Sequence, residues 1–240
     1  MNSFFKKYTV FAMIGFIISF QAEAQGVKNM FARNPMKNKA NFDNQLMHWG
    51  YFLGFNVYDF KIDMIDDAPP ILVETTTGFN VGLVGNLRLH EYIDFRFEPG
   101  LYYTQRNLRF PGFDNEFDAL REVKSTYIHF PFLLKFSSKR VGNVRPYLLG
   151  GLSYTLNLSS NFDAQDDNSQ EIFRMKRWSP NYELGFGIDL YFEYFKFSPS
   201  IRGVFGIEDE LIRDNDPNSP WTGNVASMKT RGVFINFTFH

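Results

Sequence analysis

From Tyr182 to Phe192 every second residue is large and apolar: Tyr182, Leu184, Phe186, Ile188, Leu190 and Phe192. Glu183, Gly185, Gly187, Asp189 and Tyr191 stand between them, and Glu193 continues the polar series. A period of two marks a strand whose faces meet different surroundings. After Tyr194 the alternation resumes. Phe195, Phe197, Pro199, Ile201 and Phe205 oppose Lys196, Ser198, Ser200, Arg202 and Gly206. The link is only a residue or two, so the spacing predicts a hairpin. Each strand is longer than the roughly 9–11 residues that cross a bilayer at a tilt.

The same alternation predicts strands over 48–57, 74–89, 93–104, 125–136 and 144–158, and a last one over 230–240. The connections between strands alternate. Long ones cover 58–73, 105–124, 159–179 and 207–228; short ones fall at 90–91, at 137–143 and in the hairpin. The expectation is an all-β, antiparallel transmembrane barrel of about eight strands, with short periplasmic turns, long outer loops and both termini periplasmic. Pro99, Pro131, Pro146 and Pro199 fall in or near strands, where each removes a ladder donor, so strand ends or bulges are expected there.

Two solvents compete for the apolar face. A soluble secreted barrel would turn it inward. That face is almost all large residues, and an eight-stranded interior holds little beyond its own side chains. Facing lipid instead, Glu183, Asp189, Glu193, Lys196 and Arg202 would together cost on the order of 10 kcal/mol, comparable with a domain's whole stability. The apolar face is therefore read as meeting lipid. The polar face then becomes a lumen charge network of Arg88, Asp94, Arg96, Glu98, Lys135, Arg145, Glu183, Asp189, Glu193 and Arg202. Tyr102, Tyr127, Tyr147 and Tyr191 add bulk and close the lumen to cargo.

Composition refines this picture. The chain has 240 residues with 29 Phe and 12 Tyr, which suits strands and interfacial girdles. The mean hydropathy of −0.26 is what alternating faces produce by cancellation. The net charge of −1 gives nucleic acid nothing to bind. Lys6 and Lys7, the apolar run Val10–Phe20 and Ala22-Glu23-Ala24 form a secretory signal cleaved between Ala24 and Gln25. The alternative of an uncleaved anchor needs a longer run. The expected organisation is a signal peptide over 1–24, an extended periplasmic lead-in over 25–45, either spacer or binding segment, and a barrel over 46–240.

Candidate chemistry is sparse. The sequence has no cysteine, hence no disulfide or thiolate chemistry. His48, His90, His129 and His240 lie far apart, without metal-ligand spacing, and each is read as a lumen, turn or terminal group. Asp66-Asp67 and Asp166-Asp167 are read as solvated loop acids, with outer calcium sites as the alternative. There is no G-x-S-x-G motif. No cofactor, metal or catalytic residue is expected. At the C-terminus, Thr230, Gly232, Ile235, Phe237 and Phe239 resemble the β-signal read by the outer-membrane assembly machinery.

His48-Trp49-Gly50-Tyr51-Phe52-Leu53-Gly54-Phe55-Asn56, with Asp59-Phe60-Lys61-Ile62, resembles the entry strand of the PorT family. Asn41-Phe42-Asp43, Arg96-Phe97-Glu98-Pro99-Gly100, Ile128–Lys135 and Arg145–Gly151 are similar too, though many small outer-membrane barrels share the later blocks. The resemblance implies an accessory of type IX protein secretion and gliding. Its implied partners are other secretion components, besides outer-membrane lipid and the assembly machinery. The alternatives are a general small barrel for adhesion or envelope integrity, and an outer-membrane lipid-modifying enzyme.

Overall fold

The computed structural model describes residues 36–65, 69–113 and 115–240. The signal segment with its Ala24–Gln25 cleavage point, the first part of the lead-in, and Asp66-Asp67 lie outside the described residues. Ten strand segments form one antiparallel sheet: β1 (Met47–Met64), β2 (Leu72–Thr75), β3 (Thr77–His90), β4 (Ile93–Phe97), β5 (Gly100–Arg109), β6 (Leu120–Ser137), β7 (Val144–Asn157), β8 (Trp178–Tyr191), β9 (Lys196–Gly206) and β10 (Val225–Phe239). One short helix, α1 (Glu116–Ala119), precedes β6. β1 pairs with β10 on one edge and with β3 on the other, so the sheet closes into a barrel.

Ten segments arise because two staves of the wall are each broken once. Between β2 and β3 the register against β5 slips by one residue across Thr76, since Thr75 faces Arg106 while Phe79 faces Tyr103. Between β4 and β5 the break is Glu98-Pro99. Against β6, Phe97 faces Phe132 and Gly100 faces His129, which sets Pro99 beside Phe130 and Pro131 beside Glu98. Two residues without N–H groups thus meet at one gap, and the gap costs no further donor. Pro99 still accepts from the Leu83 N–H at 3.0 Å, and Pro146 from the Ser138 N–H at 2.9 Å. Pro199 lies where the β8–β9 ladder lapses between Gly187↔Ser200 and Leu190↔Phe197.

The outer wall carries Trp49, Leu53, Phe55, Leu83, Phe132, Leu148, Leu184, Phe186 and Val233, all exposed. The alternate positions, including Arg96, Glu98, Lys135, Glu183, Asp189 and Arg202, are buried inside. Toward the long-loop end the pattern inverts. Asp59, Lys61 and Asp63 face out on β1, while Phe60, Ile62 and Met64 face in or are partly covered. Glu122 and Lys124 face out on β6, with Val123 inside. Past Val57, β1 continues for about seven residues, or roughly 17 Å of height at a typical rise and tilt. The staves therefore protrude beyond the lipid as a water-facing barrel with an apolar interior. This corrects the strand ends read from sequence: 58–64, 105–109, 120–124 and 225–228 are strand, not loop.

Two of the long loops, 158–177 and 207–224, fold together over the long-loop mouth. Met175 and Leu211 form a bridge, the Lys176 N–H donates to the Glu210 carbonyl at 2.8 Å, and the Ile212 N–H donates to that of Arg174. Phe173, Met175 and Leu211 pack with Phe60, Leu108, Phe110, Val123, Val225 and Met228. At the other end, residues 36–45 are not extended. They turn into a 3-10 segment, Phe42–Asn44, docked on the short-turn mouth.

Candidate functional site

Inward side chains fill the lumen in layers. The middle layer is a chain of charge. Glu98 contacts Arg96 and accepts from Arg202 Nη1 at 2.9 Å; Arg202 Nε lies 3.1 Å from Glu183 Oε2. Glu183 Oε1 lies 2.6 Å from His129 Nε2, and His129 Nδ1 lies 2.8 Å from the Thr155 hydroxyl, which also accepts from Asn181 at 2.9 Å. Arg96 reaches Thr238 at 3.2 Å. Nearer the short turns, Asp189 accepts from Lys135 and Ser198, each at 2.6 Å, with Lys196 at 3.8 Å. Buried charges persist when they are paired, and each of these lies within ion-pair distance of an opposite charge, although Arg96 Nε and Nη1, Arg202 Nε and Glu183 Oε2 make no hydrogen bond.

Aromatic rings close the next layer. Tyr102 and Phe234 lie 4.9 Å apart, Phe234 and Tyr58 5.1 Å, and Tyr58 and Tyr127 5.3 Å. Phe52 joins them because Gly82 and Gly100 face it, where an added Cβ would come within 2.6 and 2.7 Å of its ring. Above this layer Arg106 stands over the Phe60 ring at 3.7 Å and donates to Thr230 at 3.3 Å. Thr230 in turn donates to Glu210 at 2.8 Å. Burial pushes the Glu210 carboxyl above its ordinary range.

The sequence-predicted network divides accordingly. Arg96, Glu98, Glu183 and Arg202 come together, joined by His129. Lys135 and Asp189 form a second group with Lys196. Arg145 sits at the rim, donating to the Ser138 and Glu91 carbonyls at 2.9 and 2.7 Å, with Asp43 at 3.6 Å. Arg88 and Asp94 face each other in register and are half-buried, and neither forms an ion pair among the described residues. Glu193 is a correction: β8 ends at Tyr191, and Glu193 lies exposed in the four-residue turn Phe192–Phe195. Of the C-terminal group, Thr230 and Gly232 face the lumen, and Ile235, Phe237 and Phe239 lie on the outer wall.

Sequence reasoning missed Arg106 and Glu210, both assigned to loops. The signal was available, since the alternation runs on through 105–109 with its polarity reversed. It also missed Thr155–His129–Glu183, a hydroxyl–imidazole–carboxylate series of the kind hydrolases use. Here the His129 and Glu183 side chains have no exposure, and Tyr102 and Phe234 lie edge-on against the imidazole. The series is thus part of the packed lumen, with the Thr155 residue 7% exposed. Among the described residues, no three His, Cys, Asp or Glu are placed to hold a metal. Of the other histidines, His48 stacks on Phe42 at 4.4 Å, His240 lies by the Trp49 carbonyl, and His90 is at the β3–β4 turn.

A closed sheet with an apolar outer wall and a filled polar lumen defines an integral membrane β-barrel. The chain belongs to the outer membrane protein beta-barrel domain family, whose profile matches residues 31–211, and its place is the outer membrane. Among solved structures it is similar to neisserial surface protein A (10% identity, TM-score 0.43, 78% of this chain and 95% of that one). It is also similar to OprG from Pseudomonas aeruginosa (18%, 0.40, 80% and 95%). A third is Ail of Yersinia pestis in complex with the heparin analogue sucrose octasulfate (13%, 0.39, 81% and 99%). Likeness at this level says nothing of activity or partners. No curated protein matches the chain.

Proposed function

We propose that this is a small, non-enzymatic outer-membrane barrel that works through its ends in adhesion or envelope integrity, with the short turns and termini in the periplasm. The observation that carries the reading is the pairing of a plugged lumen with a folded outer crown. Charge and aromatic layers leave no passage, while the loops 158–177 and 207–224 are locked together above staves that stand clear of the lipid. A surface built to be presented is what such a crown offers.

A second reading, an accessory of type IX secretion, is supported by the His48–Ile62 block and by the ordered segment 36–45 on the short-turn rim, where a larger translocon would be met. A deletion strain separates the two. Loss of surface binding or envelope resistance with normal secretion supports the first, and that loss should be reproduced by replacing 159–176 and 208–223 with short turns. Broad loss of secreted proteins, unaffected by trimming the crown, supports the second and overturns the first.

A further inference from the structure

We propose that the short-turn mouth is a carboxylate-binding site, built by Arg140, Arg145 and Tyr191 and occupied in the free protein by the chain's own Asp43. The ligand in trans is a carboxylate-bearing molecule that displaces this strap. That the ligand is periplasmic rests on the orientation given above; the site itself does not.

Each side of the cradle has bonds to the barrel that do not involve Asp43. Arg145 is fixed by the Ser138 and Glu91 carbonyls. Arg140 stacks on the Tyr191 ring at 3.6 Å and donates to the Gly142 carbonyl and to Asn143 Oδ1, each at 2.9 Å. Tyr191 is fully buried at the end of β8. Two guanidinium groups and a phenol thus converge on one point, held by atoms of the barrel.

Asp43 uses this cradle poorly. The Tyr191 hydroxyl donates to Asp43 Oδ1 at 2.7 Å, but Arg145 and Arg140 stand at 3.6 and 3.7 Å. Neither arginine makes the two-pronged contact that carboxylates favour. The rest of the strap's hold is a set of single contacts: the Asn143 amide donates to the Met36 carbonyl at 2.9 Å, Arg140 to the Lys39 carbonyl at 3.5 Å, and the Phe42 ring meets those of Tyr191 and His240 edge-on at 6.5 and 6.3 Å. Phe42 stacks on His48 and lies under Lys196 at 4.8 Å. Asn38 binds Asn143 Oδ1 and the Tyr191 carbonyl at 2.9 and 3.0 Å, and Arg140 reaches the Asn38 carbonyl. A free carboxylate, unconstrained by a backbone, can sit closer to both arginines and push the strap aside.

The chemistry fits an acidic peptide or the carboxylates of cell-wall peptides, and separate arms tell them apart. Purified full-length protein in detergent is titrated with acetyl-Asp-Asp-Asp-amide, acetyl-Asn-Asn-Asn-amide or a muropeptide digest. Strap position is read by tryptic cleavage after Lys39, and affinity by calorimetry. If the strap is closed about ten to one, Asp43→Asn binds the favoured carboxylate probe roughly 10-fold more tightly than the wild type. It is also cleaved at Lys39 about as much faster. The same probe accelerates cleavage of the wild type, and the neutral peptide does not. Tyr191→Phe, which removes only the hydroxyl, weakens carboxylate binding while the barrel keeps its heat-modifiable mobility. Equal affinity of wild type and D43N, equal action of the Asp and Asn peptides, or silence in both arms overturns the proposal. These results leave the adhesion reading standing, and a secretion phenotype leaves this one standing.

Discussion

Arg202 is the keystone of the buried charge chain, and its removal tests how the lumen is held. It is 1% exposed and bridges Glu98 at 2.9 Å and Glu183 at 3.1 Å. Arg202→Met keeps the bulk and deletes the charge. Two buried carboxylates are then left with one partner each, Arg96 and His129. Breaking a buried pair costs about 3–5 kcal/mol, because the remaining charge is stranded. At about 2–4 °C per kcal/mol for a chain of this size, unfolding falls by on the order of 10 °C. The assay is the temperature at which the folded band disappears in heat-modifiability gels, with urea unfolding in micelles for free energies. Adding Glu183→Gln removes one stranded charge, so R202M/E183Q is expected to regain at least about 1 kcal/mol over R202M alone. Lys124→Met, which breaks an exposed pair with Glu122, serves as control and costs under about 1 kcal/mol. An R202M effect no larger than the control, or a double variant weaker than R202M, refutes the account.

On the outer wall, Phe186→Arg sets a cation at mid-bilayer and costs about 2–4 kcal/mol, whereas Ile207→Arg, beyond the end of β9, costs at most about 1; similar assembled yields would invert the reading of the wall. Purified protein in planar bilayers gives no large, stable conductance, and a steady open pore would contradict the plugged lumen. Asp167 links the two crown loops by accepting from Ser169 and from the Asn215 N–H, and those bonds hold its carboxyl below the ordinary range. A depressed acid contributes stability above its unfolded pKa and loses it as pH falls through the folded one. Protection of the Asn215 amide, corrected for intrinsic exchange, should therefore drop below about pH 4 in the wild type and be pH-independent in Asp167→Asn.

The barrel was legible where lipid enforces the alternation. Tyr182 through Ile188 could be assigned to faces at once, because a charge on that wall is too costly to tolerate. Legibility ended where the lipid ends. Past Val57 and before Thr126 the staves continue in water, the outward residues become Asp59, Lys61, Glu122 and Lys124, and the same period with opposite sign reads as loop. The breaks at Thr76 and at Glu98-Pro99 depend on what lies across the sheet, which one strand's pattern does not contain. The partner of Arg145 was hidden for the same reason. Asp43 belongs to a segment with no period, and only the closed mouth brings it near.

Closure of the sheet also fixes an order in time. Tyr51 lies opposite Phe239, so the first long strand waits for the last before its second edge is satisfied. Every other neighbouring pair of staves can meet while the chain is still being delivered; this pair cannot, and contacts of such long separation form slowly. Until then the edge of Tyr51–Met64 is an open template for any passing strand. The barrel therefore stays unfinished until its last strand has arrived. Losing a few residues from its end would not shorten the barrel but leave it unsealed.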